Sequence, residues 1–232
     1  MANPNTFTFP GTNSPSYNPS NPWQAMIMQA FGTTNLVQGA LAVHHQPLYD
    51  TISYAPGDTI TEGGSHFFEN VAPSPSAKTF GQTNMPKANQ LPSPQAFSIF
   101  RVHMRISEDT TPADMLLIMN SLAFYLNLGG DVKYLGPAPL WWYGAGGGIA
   151  GVQSAGASTI LTNGIPMRDN SLRLEIPLVI QNVMTFYAAL TGAQWLGTTT
   201  PPTNTPVVLD PAGNGTTIQV LFDGFWARQI EG

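Results

Sequence analysis

Apolar and polar positions alternate with a period of two in three stretches of this chain. Between Phe97 and Ile106, Phe100, Val102, Met104 and Ile106 fall on one side, and Arg101, His103 and Arg105 on the other. Successive strand side chains point to opposite faces, so this is the pattern of a half-buried strand. Leu122, Phe124, Leu126 and Leu128 repeat it and stop at Gly129-Gly130, after which "DVKYL" reads as a hairpin partner. From Ser171 to Ile180, Leu172, Leu174, Ile176, Leu178 and Ile180 share one face, and Ser171, Arg173, Glu175 and Pro177 the other. Proline cannot donate to a strand ladder, so Pro177 predicts an edge or a bulge. "LYDTISY" ends at the Pro-Gly turn "APGD", and "SHFFENV" is a short apolar run. "STILTNGIP", with an Asn163-Gly164 turn, and "VMTFYAAL" also read as strands. So does "TTIQVLFDGFWARQ", which follows the turn "DPAGNG"; its apolar parity breaks at Gly224, which predicts a bulge there. "TTPADMLLIMN" is different: Thr111 fits an N-cap, Pro112 the first helical position and Asp114 the third, over about two turns.

These elements predict an all-β chain of about eight to ten strands with one short helix and long loops. Strands spread along the chain with turns between them imply a β-sandwich. The long excursions favour a single jelly roll; 232 residues are too few for a double one. Residues 1–22 carry proline at positions 4, 10, 15, 19 and 22, cannot form a helix and cannot bury enough to fold alone. They read as a flexible N-terminal arm, free or ordered against a neighbour through Phe7, Phe9, Tyr17 and Trp23. Residues 23–232 read as the jelly-roll domain, although "WQAMIMQAF" at its start fits either a short helix or a strand. The segment 72–94 holds five prolines and no period over 23 residues, long for a loop that only connects. "TGAQWLGTTTPPTNTP" is a second such loop.

Composition changes the picture in one respect. Charged residues make only 9% of the chain, against about 25% in a typical soluble domain. A free monomer usually surrounds itself with charge. A neutral exterior is explained if copies of the chain cover it, because neutral groups lose less on desolvation than unpaired charges. The net charge is −5 with no run of Lys or Arg, which argues against direct nucleic-acid binding. With no cysteine there are no disulfides and no thiolate chemistry. No stretch reaches the roughly 18 apolar residues of a membrane span, and the first residues lack the basic and apolar regions of a secretory signal.

Candidate chemistry is sparse. "PLWWYGAGGGIAG" contains G-x-G-x-x-G through Gly146, Gly148 and Gly151. A dinucleotide loop must follow a strand and open a helix, but "VQSAGAS" after Gly151 has no helical period, so the glycines read as a loop between strands. Trp141, Trp142 and Tyr143 beside them read as core or interface anchors, with at least one tryptophan facing outward. His44 and His45 would diverge on a strand; His66 and His103 lie far away, and no H-x-H pair with a nearby Glu marks a metal site. His103 shares its face with Arg101 and Arg105 and reads as a surface or interface residue. Glu108-Asp109 reads as strand-end or turn chemistry. Glu175 with Asp223, if on neighbouring strands, is the best guess for a catalytic carboxylate pair. No G-x-S-x-G occurs, and the sequon Asn214-Gly215-Thr216 lies in a predicted turn. No cofactor or metal is implied, and no catalytic residue is assigned.

The stretch "GQTNMPKANQLPSPQAFSIFRVHMRI", with "YDTISYAPGDTI", "APLWWYGAGGGIAG" and "LRLEIPLVI", resembles jelly-roll major capsid proteins of tailless icosahedral bacteriophages. This is the lineage with upright jelly rolls and, often, an internal membrane. The resemblance spans Tyr49 to Ile180 and, more loosely, the last strand. It implies a structural virion protein and not an enzyme: a coat subunit that self-assembles into an icosahedral shell through symmetric capsomers such as trimers. Its implied partners are penton and minor capsid proteins and an underlying lipid membrane; its implied location is the virion, assembled in the host cytoplasm. The alternative is a carbohydrate-binding, lectin-like spike or adhesin in which Trp142 and Tyr143 stack on a sugar. A glycosidase is a third option.

Overall fold

In the computed structural model of the chain, the residues described are 40–61, 64–69, 78–107, 109–137, 150–153, 159–162, 173–192 and 207–230. They form thirteen strands and one helix: β1 (Ala40–His45), β2 (Leu48–Tyr54), β3 (Thr59–Ile60), β4 (His66–Phe67), β5 (Gln95–Ile106), α1 (Pro112–Ser121), β6 (Leu122–Leu128), β7 (Asp131–Pro137), β8 (Ala150–Gln153), β9 (Thr159–Thr162), β10 (Arg173–Ile180), β11 (Phe186–Gly192), β12 (Val207–Val208) and β13 (Thr216–Ile230). The excess over eight to ten comes from the two-residue pair β3–β12, the β8–β9 hairpin and the split of one edge into β1 and β2.

All described pairings are antiparallel. β13 is the spine of the larger sheet. One side pairs with β5; the other pairs with β2 along Thr216–Phe222 and with β1 along Phe225–Ile230. β10 lies on the far side of β5. The second sheet runs β4-β11-β6-β7. Both sheets turn apolar faces into one core: Leu48, Ile52, Val102, Met104, Ile106, Ile218, Val220 and Phe222 from the first; Phe67, Phe124, Leu126, Phe186 and Leu190 from the second. Full burial of such side chains stabilises by about 1.5–3 kcal/mol each.

Phe68 joins the two layers. Its ring meets Phe186 of one sheet at 5.3 Å and Phe222 of the other at 5.1 Å, and it is fully buried. Its backbone is left-handed, at φ 70°, which costs a bulky residue about 1–3 kcal/mol. The offset comes from the ring's burial and from Asp50, whose Oδ2 accepts the Phe68 N–H at 2.7 Å. Asp50 has the same parity as Leu48, Ile52 and Tyr54, so β2 carries a carboxylate into the core with no solvent exposure. Lys78 Nζ meets both its oxygens, at 2.9 and 2.7 Å.

Local chemistry explains the elements. Thr111 Oγ1 accepts the Asp114 N–H and Pro112 opens α1, as expected; buried Asp114 then accepts the Asp210 N–H at 2.9 Å and ties the helix to the turn before β13. Leu128 pairs with Asp131, leaving Gly129 and Gly130, at φ 62° and 92°, as a two-residue loop whose positive angles match the twist of the flanking strands. The Pro-Gly turn closes through Asp58 N to Ala55 O at 3.1 Å.

Two strands depart from the alternation. Phe100 is not on the core face. The register passes from Asp223↔Arg101 to Gly224↔Ile99, so Phe100 is the extra residue of a bulge on β5 and meets Phe225 edge-on at 5.5 Å. β13 itself keeps its parity: Ile218, Val220, Phe222, Gly224 and Trp226 are buried and Phe225 lies on the other face. The need for glycine at 224 is close approach, since a Cβ there would lie 1.9 Å from Ser98 O. On β10, Leu174 and Ile180 are buried but Ile176 is 77% exposed, because the register with β5 shifts between Arg173 and Leu178, across Pro177. β10 ends the described sheet order, which suits that proline.

Substitutions at Gly224 and at Lys78, each with a comparison variant, test this account in denaturant unfolding. Gly224→Ala should cost about 3 kcal/mol or more, whereas Gly81→Ala, whose Cβ meets only Thr79 Oγ1 at 3.7 Å, should stay within about 0.5 kcal/mol. Lys78→Ala should cost about 3 kcal/mol by stranding the Asp50 carboxylate, and pairing Lys78→Met with Asp50→Asn should recover part of that loss.

Candidate functional site

The outer face of the larger sheet collects the polar residues that alternate with the core. In register across β2, β13 and β5 lie Thr51, Gln219 and Arg105, and one step along lie Tyr49, Leu221 and His103. Asp223 sits opposite Arg101, which sits opposite Arg173. Three of the chain's eight Lys and Arg residues therefore lie along β5 and β10 on this sheet, with His103 between Arg101 and Arg105 as its parity predicts.

At the Arg105 end the face dips into a depression of about 430 Å³. Strand residues Thr51, Thr217, Gln219 and Arg105 line it, with Ser107 and Asp109 just past β5 and Gly81 and Gln82 from the loop before it. Its floor is internally bonded. Gln219 Nε2 donates to Thr51 Oγ1 at 3.2 Å and to Gly81 O at 3.1 Å, and Thr51 Oγ1 donates to Gln82 O at 2.7 Å. The Ser53 and Thr217 hydroxyls are 3.1 Å apart, and Ser107 Oγ accepts the Thr217 N–H at 3.1 Å. Arg105 and Asp109 differ: among the described residues neither charged group has a hydrogen-bond or ion-pair partner.

The rim loop is held as firmly as the floor. Tyr49 OH donates to Phe80 O, so the carbonyls of Phe80, Gly81 and Gln82 are each bound by a strand side chain. Just beyond, Tyr49 N donates to Asn84 Oδ1 at 3.0 Å and Asn84 Nδ2 to Pro47 O at 2.7 Å, which covers this part of the β2 edge. The Phe80 ring is left 89% exposed.

The residues singled out from sequence fare differently. Phe7, Phe9, Tyr17, Trp23, Trp141, Trp142 and Tyr143 lie outside the described residues, as do Gly146, Gly148 and residues 1–22 as a whole. Gly151 falls within β8 and opens no helix, which removes the context a dinucleotide loop requires. His44 and His45 diverge on β1: the first stacks on Trp226 at 6.4 Å, the second meets Asp223 Oδ1 at 2.6 Å. His66 stacks on Tyr187 at 4.5 Å and pairs with Glu69 at 3.0 Å. Among the described residues no group of three His, Asp or Glu could hold a metal. Glu175 and Asp223 are not on neighbouring strands, because β5 runs between β10 and β13. Asp109 stands in a turn, as expected, with its carbonyl accepting from Asn214. Tyr54 is pushed up to about 12, first by burial and then by the Asp58 charge, so it stays a neutral phenol at neutral pH.

The depression itself was not visible in any motif, because it draws on β2, β5, β13 and a loop. Among the described residues its lining holds no imidazole and no carboxylate pair, and the chemistry they offer is hydrogen bonding and charge. Compared with known proteins, the chain matches no protein-family model and no curated protein.

Thr51→Val combined with Gln219→Ala removes the bonds to Gly81 and Gln82. Amide exchange at Gln82 and Thr83, whose N–H groups bond Thr79 O, should then speed up about tenfold or more, and unchanged protection would show that the loop is held by something else.

Proposed function

We propose that the chain is a jelly-roll coat subunit that assembles with copies of itself into a closed shell. The observation that supports the jelly-roll part of this reading is the order of strand pairing. With β1 and β2 taken as one strand, eight strands in chain order make up the two large sheets: β1/β2, β4, β5, β6, β7, β10, β11 and β13. The first pairs with the eighth, the second with the seventh, the third with the sixth and the fourth with the fifth. That is the order of one long hairpin rolled into a double sheet, and it supports the jelly roll over other sandwiches.

Fold alone does not choose a function. What tilts the choice is the surface. The chain has 8 basic and 13 acidic residues in 232, and Phe80, Ile176, Val183 and Val208 are each at least half exposed. Covering by sister subunits suits such an exterior. Trimers or similar capsomers, other coat proteins at the vertices and a lipid layer beneath complete the proposal.

The test is sizing and electron imaging of the purified full chain. Discrete oligomers that grow into closed particles are expected. A chain that stays monomeric at the highest soluble concentration, with no particles under any salt or pH tried, would overturn the reading.

A further inference from the structure

We propose that the depression beside Arg105 binds a neutral saccharide. The inference does not rest on the coat reading; it rests on two charges with no partner among the described residues and on an exposed aromatic beside the lining. Arg105 and Asp109 line the same depression of about 430 Å³, carry opposite charge and form no ion pair with each other. A simple anion would satisfy Arg105 and be repelled by Asp109; a simple cation would do the reverse. A sugar hydroxyl is both donor and acceptor, so neighbouring hydroxyls of one ring can accept from the guanidinium and donate to the carboxylate.

The surroundings fit the same ligand. Thr51, Thr217 and Gln219 are already bonded to one another's neighbours, so the floor is set before a ligand arrives and little ordering is lost on binding. Phe80, next to Gly81 on the rim, keeps its ring 89% exposed although its own carbonyl is held by Tyr49. This exposed ring, one residue from Gly81 of the lining, offers apolar area to the C–H face of a pyranose. The volume falls within the range of about 300–1,000 Å³ usual for small-ligand sites.

The experiment uses the purified full chain on an array of hexose and N-acetylhexosamine oligosaccharides. NMR titration then follows with galactose, N-acetylglucosamine and the best array binder. Binding on the order of 1 mM or tighter is expected. Arg105→Ala and Asp109→Asn should each weaken it at least about tenfold, and Phe80→Ala about three- to tenfold. Arg105→Lys, which keeps the charge but loses the fork, should fall between, and circular dichroism should show all variants folded. No binding at tens of millimolar sugar, or wild-type affinity in both charge variants, overturns the proposal. So does inorganic phosphate that binds as well as any sugar, which would make this an anion site. Sizing in parallel separates the two readings. Loss of self-association in the variants with no sugar bound would make this face a subunit contact, overturning the saccharide site and leaving the coat reading intact. Sugar bound by a permanent monomer would do the opposite.

Discussion

The carboxylate of Asp50 sits inside a β-sandwich, where an unpaired charge would cost several kcal/mol, and it is kept there by two partners. One is the Lys78 ammonium, reached across the edge of β2; the other is the N–H of Phe68, a residue in the left-handed region. Phe68 needs that hydrogen bond to hold its backbone, and the two sheets need its ring to fill the space between Phe186 and Phe222. A single anion thus couples a loop, a strained turn and both layers. The pair is weak as a source of net stability, yet loss of either partner would strand the other, so it selects one arrangement of the loop.

The outer face of the same sheet follows a complementary logic. Inside, the Asp50 charge is fully paired; outside, Arg105 and Asp109 have no partner among the described residues. Tyr49 and Thr51, which flank Asp50 in sequence, point outward and grip the loop carbonyls that form the rim. One short strand therefore builds the centre of the core with one parity and the wall of the candidate site with the other.

Much of this architecture was legible in the chain. Strand signals marked β2, β5, β6, β11 and β13, and the Thr-Pro-x-Asp pattern placed the start of α1, which runs on to Ser121, longer than the two turns expected. Even Asp50 carried a signal, since its parity groups it with Leu48, Ile52 and Tyr54. What alternation cannot show is where it slips. Phe100 looked like a core residue because the bulge that turns it outward is a property of register with β13, and Ile176 was misplaced for the same reason on β10. Strand order is equally hidden, which is why Glu175 and Asp223 could be imagined as neighbours. The depression combines four separate segments, none of which carries a motif.

Lys78 and the carbonyls of Phe80 and Gln82 grasp β2 from opposite sides of the sheet: the ammonium at the core, the carbonyls on the outside. The short stretch joining them passes around the strand margin like a clip of set length. Evolution can therefore exchange its side chains with some freedom, but adding or deleting even one residue between positions 78 and 82 would force a choice between the inner grip and the outer one. This interval should stay constant in length among any descendants of the chain, however far their residue identities drift.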